Sequence, residues 1–152
     1  MRIRFIWPGK TRDEHLRALI GEYLKRLSRF ARCQVVEVRE NAASDRGGTE
    51  KTARRILEAI PEASWVVLLD LNGRELGSEE LAKQVRRWEN NSIKELAIVI
   101  GGPDGVGAEV VARAKEKWRL SRLTLTHEMA RVVVVEQLYR AYAINHGLPY
   151  QK

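Results

Sequence analysis

The chain has 152 residues, of which 44% are apolar and 31% are charged. Such a length suits one domain, spanning residues 1–152, and the composition excludes a disordered tail or a fibrous repeat. The only cysteine is Cys33, so a disulfide-stapled secreted fold is excluded and a reducing compartment is indicated. An apolar patch at residues 3–7 is too short for a signal peptide or a membrane span, which predicts a cytoplasmic protein.

Positive charge is concentrated in the first part of the chain. The formal net charge is +7, and residues 1–60 carry 14 Lys and Arg against 8 Asp and Glu. The remaining residues, 61–152, are nearly balanced, with 13 basic and 12 acidic side chains. This distribution predicts a polyanionic partner such as RNA or DNA. Scattered Lys and Arg that serve only solubility are the alternative.

The first half of the sequence predicts alternating strands and helices. Residues 2–7 read as a strand that Pro8-Gly9 ends, and apolar residues from Leu16 to Phe30 recur at helical spacing. Three valines within residues 35–38 mark a second strand. Residues 41–49 hold no apolar run, which indicates a loop before a helix over about 50–60.

The second half continues the alternation. We expect buried strands at residues 64–71 and 96–100, a turn at Asn72-Gly73, and a more ambiguous fifth strand at 120–125. Three helices are expected in this half: one capped by Ser78, one that includes Val110 and Trp118, and one over residues 127–145. The pattern predicts an α/β fold with a mainly parallel sheet flanked by helices.

Three strand ends are candidates for a ligand site, since ligands of parallel sheets bind beyond the carboxyl ends of the strands. They lie at residues 69–73, 100–103 and 121–125. Gly101 and Gly102 would let the backbone approach a ligand closely, although a structural turn also explains paired glycines. The glycines match neither a P-loop nor a dinucleotide fingerprint.

Metal and nucleophilic chemistry are not indicated. The three histidines, His15, His127 and His146, are far apart in sequence, Cys33 has no motif around it, and no G-x-S-x-G elbow occurs. The sequence therefore predicts no metal site. An activity that uses a cofactor held by backbone groups fits these residues better.

The last predicted helix contains four consecutive valines at residues 132–135, so its apolar residues occupy every face. A helix that is apolar all round is buried all round. We expect it to pack against its own sheet and against a second subunit. Burial in the core of a monomer is the alternative.

Several of these segments together resemble one known family. They are residues 100–105, 118–125 and 135–141, together with His127 and Arg131. The chain resembles, over essentially its whole length, the ribosomal large-subunit pseudouridine N3-methyltransferases of the SPOUT class. The resemblance implies an α/β fold with a C-terminal trefoil knot within about residues 69–146, although most chains avoid knots. It also implies a homodimer that binds S-adenosylmethionine in the knot.

The resemblance further implies a reaction and a set of site residues. The reaction is methyl transfer to N3 of pseudouridine 1915 in 23S rRNA, within the assembled ribosome. Two residues would be catalytic, with His127 and Arg131 orienting the base and stabilising its developing anion; a purely structural role for His127 at the helix start is the alternative. Two would bind RNA, Arg140 and Tyr150. The implied cofactor contacts are Leu69, Gly101, Leu120, Ser121, Arg122, Leu123, Thr124 and Leu125.

The tail departs from the family pattern, since this chain ends Tyr150-Gln151-Lys152 where many relatives end Tyr-His-Arg. A scheme that requires a histidine in the tail is therefore in doubt. Two other functions remain open at this point. One is a non-catalytic, ribosome-associated RNA-binding module with the same fold, and the other is a related knotted enzyme that acts on tRNA.

Overall fold

Strands and helices alternate along the chain in the computed structural model, which describes residues 1–150. This alternation confirms the predicted α/β fold. The five strands are β1 (Arg2–Pro8), β2 (Arg32–Val38), β3 (Trp65–Glu75), β4 (Glu95–Val99) and β5 (Glu116–Arg119). The five helices are α1 (Glu14–Leu27), α2 (Gly48–Ala59), α3 (Ser78–Asn90), α4 (Ala108–Arg113) and α5 (His127–Asn145).

The five strands form one sheet in the order β2-β1-β4-β3-β5. Every pairing is parallel, so the prediction of a mainly parallel sheet is confirmed. Central strands β1 and β4 read Ile3-Arg4-Phe5-Ile6-Trp7 and Leu96-Ala97-Ile98-Val99, and most of these side chains are buried, as expected of strands covered on both faces. Parallel pairing brings all five carboxyl ends to one edge, which we call the carboxyl edge.

Helices cover both faces of the sheet. On one face, Phe5 and Trp7 of β1 belong to a core that α1, α3 and α5 complete with residues such as Leu27, Val85 and Leu138. On the other face, Ile6 and its neighbours pack against α2 and α4 in a second core. Alternate residues of β1 therefore point into different cores, which follows from the two-residue period of a strand.

Helix α5 packs against both α1 and α3 above the first face. Val132, Val134 and Val135 are each 8% exposed or less within one chain, whereas Val133 is half-buried. The neighbouring helices and the sheet thus account for the burial of three of the four valines without a second subunit. The predicted bounds of this helix, 127–145, are confirmed.

Two predictions around the fifth strand are wrong. The helix expected to include Trp118 ends at Arg113, and Trp118 lies in β5, where its ring stacks on that of Trp88. Residues 120–125, expected as the strand, form the loop after it. Pairing of β5 with β3 and burial of the Trp118 ring outweigh the helical spacing from Val110 to Trp118.

Two predicted turn signals are also wrong. Asn72-Gly73 does not end the third strand, because β3 continues to Glu75 through an irregularity between Leu69 and Arg74. The N-cap of α3 is Gly77, and the Ser78 hydroxyl instead donates a hydrogen bond to Gln137 Oε1 at 2.7 Å. Both departures come from contacts with distant elements, which short sequence patterns do not encode.

Gly73 allows β3 and β5 to approach each other at this irregularity. A Cβ placed on Gly73 would lie 2.6 Å from the Trp118 carbonyl carbon and 2.7 Å from Lys117 backbone atoms. Neither neighbour is a flexible side-chain end, so the two strands would have to separate. Glycine at this position therefore sets how closely the end of β3 packs beside β5.

We predict that Gly73→Ala lowers the free energy of unfolding by about 1–3 kcal/mol, the usual cost of overpacking. Chemical denaturation followed by circular dichroism measures it. Gly21→Ala is the control, because Gly21 lies within α1 with open space around it, and alanine there should stabilise the helix by about 0.5–1 kcal/mol. Equal stability of Gly73→Ala and the wild type would contradict the argument.

Candidate active site

A cavity of about 260 Å³ opens where β3 and β5 end. Leu76 and Leu120 follow the two strands, and Leu81 from α3 adds to the apolar wall. The hydrogen-bonded pair of Ser78 and Gln137 supplies polar atoms at the same cavity. A mostly apolar cleft with a few placed polar groups at the carboxyl edge of a parallel sheet is the usual form of a small-molecule site.

The loop at residues 120–126 borders this cavity and is anchored at both ends. At its start, Arg119 Nε donates a hydrogen bond to the Ser121 carbonyl at 3.1 Å. The Ser121 hydroxyl accepts from Leu123 N at 3.0 Å, which tightens the turn. At its end, the Thr126 hydroxyl accepts from Met129 N at 3.2 Å and caps α5. The loop therefore has a defined conformation between β5 and α5.

The predicted cofactor residues have different environments. Leu120 lines the cavity, and Leu69 packs against the same core cluster as Leu120. Ser121 and Leu125 are half-buried, while Arg122, Leu123 and Thr124 are exposed, with Leu123 at 76%. The structure thus brings the 120–125 loop and the end of β3 to one edge. Direct contact of each residue with a cofactor stays a prediction.

Gly101 begins the loop after β4, and its immediate neighbour there is Val106. A Cβ on Gly101 would lie 2.7 Å from Val106 Cγ1. The loop closes on itself through a hydrogen bond from Gly105 N to the Gly102 carbonyl at 3.1 Å. A structural reason for glycine at position 101 therefore exists in the chain alone, and a cofactor contact there stays a prediction.

Arg131 is buried, with 1% of its surface exposed. Its Nη2 donates to the Pro8 carbonyl at 2.7 Å and its Nη1 donates to Thr11 Oγ1 at 3.0 Å. The guanidinium also lies 4.9 Å from the centre of the Trp7 ring, within the range of a cation–π contact. The residue therefore ties α5 to the carboxyl end of β1.

Carboxylates complete this connection. Glu128 Oε1 accepts hydrogen bonds from Arg12 N and Asp13 N, each at 3.0 Å. The bond from Asp13 N is the largest cause of the lowered pKa of Glu128. Glu37 Oε2 accepts from Trp7 Nε1 at 3.2 Å. Burial lowers the pKa of Arg131, while the charges of Glu128, Glu37 and Glu40 act in the opposite direction. We call Arg131 and Glu128, with the groups of β1 and of the segment after it that they bind, the α5–β1 clamp.

His127 is the first residue of α5 and stands beside this clamp. Its side chain is half-buried, and no hydrogen bond of its ring occurs within residues 1–150. Arg131 follows four residues later, so the two side chains lie on the same face of the helix. The structure therefore brings the two predicted catalytic residues together, with the imidazole more accessible than the guanidinium.

The predicted RNA-binding pair, Arg140 and Tyr150, also meets in the structure. Both side chains engage Glu136: Arg140 Nη2 donates to Oε1 at 2.6 Å and the Tyr150 hydroxyl donates to it at 2.7 Å. The Arg140 guanidinium lies 4.7 Å from the centre of the Tyr150 ring. The hydrogen bond to Glu136 raises the pKa of Arg140, and burial is the first cause of the raised pKa of Tyr150.

Gln137 links this tail cluster to the cavity. Its Nε2 donates to Glu136 Oε2 at 2.8 Å, while its Oε1 accepts from Ser78 at the cavity wall. A continuous chain of hydrogen bonds therefore runs from α3 through α5 to Tyr150. Gln151 and Lys152, where the tail departs from the family pattern, lie outside the described residues.

Sequence reasoning missed the residues that carry these links. They are Thr11, Ser78, Leu81, Glu128, Glu136 and Gln137. Glu136 and Gln137 directly follow the four valines and lie within the segment 135–141 that resembles the family, but the sequence assigned them no role; Ser78 was marked only as a helix cap. The others depend on which elements meet in space, and no short motif marks them.

Neither metal-binding clusters nor membrane spans occur in the part of the chain that the structure describes. No group of three or more His, Cys, Asp or Glu side chains there could hold a metal ion. Similarly, no helix within residues 1–150 is long and apolar enough to cross a membrane.

Comparison with known proteins assigns this chain to a class. A family model described as "Predicted SPOUT methyltransferase" matches residues 1–151. The chain therefore belongs to the SPOUT methyltransferase family, and it is a methyltransferase.

Individual relatives agree along the full chain. Three proteins named "Ribosomal RNA large subunit methyltransferase H" are similar to it: those of Anaeromyxobacter dehalogenans at 42% identity, Stenotrophomonas maltophilia at 40% and Clostridium kluyveri at 37%. Each alignment covers 100% of this chain and 99–100% of the relative. A methylase family protein from Haemophilus influenzae shares the fold, with a TM-score of 0.54 and 17% identity over 99% of this chain and 70% of that one.

We predict that Arg131→Met lowers the free energy of unfolding by about 2–4 kcal/mol, because the Pro8 carbonyl and the Thr11 hydroxyl lose a buried charged donor. Urea denaturation measures the change. Arg87→Met on the exposed side of α3 is the control and should stay within about 0.5 kcal/mol of the wild type. A small effect of Arg131→Met would show that the clamp does not stabilise the fold.

A second variant tests the tail cluster. Glu136→Gln keeps the shape of the side chain but removes the charge that both Arg140 and Tyr150 bind. We expect amide hydrogen exchange at Gly147, Leu148 and Tyr150 to become at least about fivefold faster, corresponding to about 1 kcal/mol of lost local stability. Glu58→Gln, at an exposed position of α2 on the other face of the sheet, is the control and should leave the tail unchanged. Unaltered exchange in Glu136→Gln would contradict the proposed anchoring.

Proposed function

We propose that this protein transfers a methyl group from S-adenosylmethionine to N3 of pseudouridine 1915 in 23S rRNA of the large ribosomal subunit. The observation that supports this most strongly is the apolar cavity at the carboxyl edge, bordered by the 120–126 loop, in a chain of the SPOUT methyltransferase family. The names of the full-length relatives support large-subunit rRNA as the substrate.

The cavity residues fit the proposed methyl donor. Leu76, Leu81 and Leu120 offer an apolar wall for a flat adenine ring, and the Ser78–Gln137 pair offers hydrogen-bonding groups beside it. S-adenosylmethionine would supply an electrophilic methyl group when bound there. The task of the protein is then approach and orientation, because the cofactor carries the difficult chemistry.

Residues at the start of α5 would act on the pseudouridine base. A neutral ring nitrogen is a poor nucleophile, so the N3 proton must pass to solvent water as N3 forms its bond to the methyl group. The S–CH3 bond of the sulfonium would break in the same step and leave the neutral thioether. We assign His127 to contact the base and stabilise the developing anion, since its imidazole is half-buried yet accessible. Arg131 contributes its positive charge from a buried position, and through Pro8 and Thr11 it fixes where the start of α5 lies. It is a positioning residue in this proposal.

Arg140 and Tyr150 present the tail to RNA. Both side chains are partly exposed, and Glu136 holds the guanidinium and the ring together as one unit. A cation beside an aromatic face can contact a phosphate and stack on a base simultaneously.

We also propose a homodimer that works in the cytoplasm, with each chain a single knotted domain. Large apolar side chains remain exposed near the carboxyl edge, namely Leu71 at 74%, Leu123 at 76% and Met129 at 39%. A second copy that covers them would bury apolar surface and shield the transfer site from water. The neighbouring tail would then complete the pocket, as the resemblance implies.

Single-turnover methylation of large ribosomal subunits that lack the mark tests this function, with mass spectrometry of the isolated 23S rRNA as readout. We expect the wild type to add one methyl group to pseudouridine 1915, and His127→Ala to reduce the rate by at least about 100-fold, as for loss of a transition-state donor. His15→Ala is the control, because the His15 side chain is 88% exposed at the start of α1.

Three outcomes would contradict the proposal. Full activity of His127→Ala would remove its catalytic role. Methylation of tRNA instead of 23S rRNA would change the substrate. Failure of the wild type to bind S-adenosylmethionine in calorimetry would exclude the enzyme reading and favour an RNA-binding module.

A further inference from the structure

The opposite edge of the sheet carries a second concave surface. It is a wide groove of about 880 Å³ where β1, β2 and β4 begin. The turn after α1, residues 28–31, forms one wall and the turn after α3, residues 92–94, forms the other. We call it the amino-edge groove. The seven residues of β1 separate it from the carboxyl edge, a distance of about 20 Å at the usual rise per residue.

Four basic side chains line this groove, Arg2, Arg29, Arg32 and Lys94, and all four are exposed. Its lining contains no Asp or Glu. The nearby Glu95 makes an ion pair with Arg2 at 3.6 Å, yet the Arg2 side chain remains 60% exposed. A concave surface with cations on both walls raises the local potential and attracts polyanions.

The floor of the groove is rigid. Phe30 stacks on Tyr142 with ring centres 5.5 Å apart and contacts the His146 ring at 4.7 Å. Strand ends are also tied together across the floor, since Arg2 N donates to the Lys94 carbonyl at 2.9 Å. The basic residues therefore extend from a fixed frame, which lowers the entropic cost of binding.

Ser92 adds a hydroxyl group to the rim of the groove. It lies two residues beyond Asn90, the last residue of α3, and is the only non-glycine residue with positive φ (58°) within residues 1–150. Glycine normally occupies such a position after a helix because a side chain there is strained. The Ser92 hydroxyl lies at the rim with Lys94, and hydroxyl groups are common phosphate ligands.

We propose that the amino-edge groove binds the phosphate backbone of RNA at a distance from the methylated base. The inference rests on the proposed rRNA substrate, because only an extended polyanion can reach both edges of one chain at once. Binding there is sequence-independent: Arg29 and Arg32 pair with phosphates and hold the substrate, while the carboxyl edge selects the base. Three of the groove's basic residues, Arg2, Arg29 and Arg32, contribute to the excess positive charge of residues 1–60.

The test uses the double charge reversal Arg29→Glu/Arg32→Glu, whose side chains are exposed and lie outside the transfer site. Lys83→Glu/Arg54→Glu is the matched control, with the same change in net charge at exposed positions on α3 and α2 that do not line the groove. Fluorescence anisotropy with a labelled oligouridylate at several salt concentrations measures affinity. Turnover is measured on unmethylated large subunits, and thermal melting confirms that each variant folds.

We expect the groove variant to bind RNA at least about tenfold more weakly than the control, with a salt slope reduced by about 1.5, for two lost phosphate contacts on a single strand. Its KM for ribosomal subunits should rise while kcat and the affinity for S-adenosylmethionine stay unchanged. Ser92→Gly should raise the melting temperature, because glycine relieves the backbone strain, and should weaken RNA binding, because the hydroxyl is lost. A residue with only a structural role would change the melting temperature without changing RNA affinity.

Other outcomes would overturn the proposal. Equal RNA affinity of the groove variant and the control would make the groove an ordinary solvated surface. Loss of binding to phosphatidylserine vesicles, with RNA affinity unchanged, would make it a membrane surface. The two proposals also fail separately: wild-type protein that binds RNA through the groove but does not methylate large subunits refutes the proposed function alone. Normal methylation with an unaltered KM in the groove variant refutes RNA binding by the groove and leaves the proposed function intact.

Discussion

Parallel pairing of all five strands is the constraint on which the rest of the structure depends. After each strand, the chain must cross back to the starting end of the sheet before the next strand begins. A helix therefore crosses one face of the sheet between consecutive strands. Consequently, every loop that follows a strand lies at the carboxyl edge. The glycine loop after β4, the cavity beyond β3 and β5, and the start of α5 are neighbours for this reason, although 26 positions separate Gly101 from His127.

Helix α5 converts this shared edge into a defined site. Its first turns bind β1 through Arg131 and the segment after β1 through Glu128, its middle lines the cavity with Val133 and Gln137, and its later turns hold Tyr150 through Glu136. One rigid element therefore sets the positions of the proposed base-contacting, cofactor-binding and tail residues. Burying a guanidinium in this role is costly unless its N–H groups find partners. The Thr11 hydroxyl, the Pro8 carbonyl and the Trp7 ring supply three, whereas the buried Nε has no hydrogen-bond partner within residues 1–150.

Much of the fold could be predicted from the sequence because its main signals are local. Apolar runs marked β3 and β4, helical spacing marked α1, and the alternation of strand-like and helix-like segments indicated a parallel α/β fold. The errors lie where contacts between distant elements determine the local structure. Trp118 lies in a strand because it packs on Trp88, and the Ser78 hydroxyl binds Gln137 instead of capping α3. For the site, the three strand ends were recognisable, and family resemblance selected His127 and Arg131. The burial of Arg131, the Glu136 cluster and the cavity walls required the three-dimensional arrangement, since no spacing in the chain relates Leu81 to Leu120.

The central claim is that the carboxyl-edge cavity binds the methyl donor and that α5 connects it to the base-contacting residues. Amide chemical-shift mapping by NMR, with S-adenosylmethionine titrated into the full-length protein, tests it most directly. We expect the largest chemical-shift changes at residues 76–81, 120–126 and 133–137, smaller changes at His127, and none at Arg29 or Arg32 in the amino-edge groove. Changes centred on that groove, with the 120–126 loop unaffected, would contradict it.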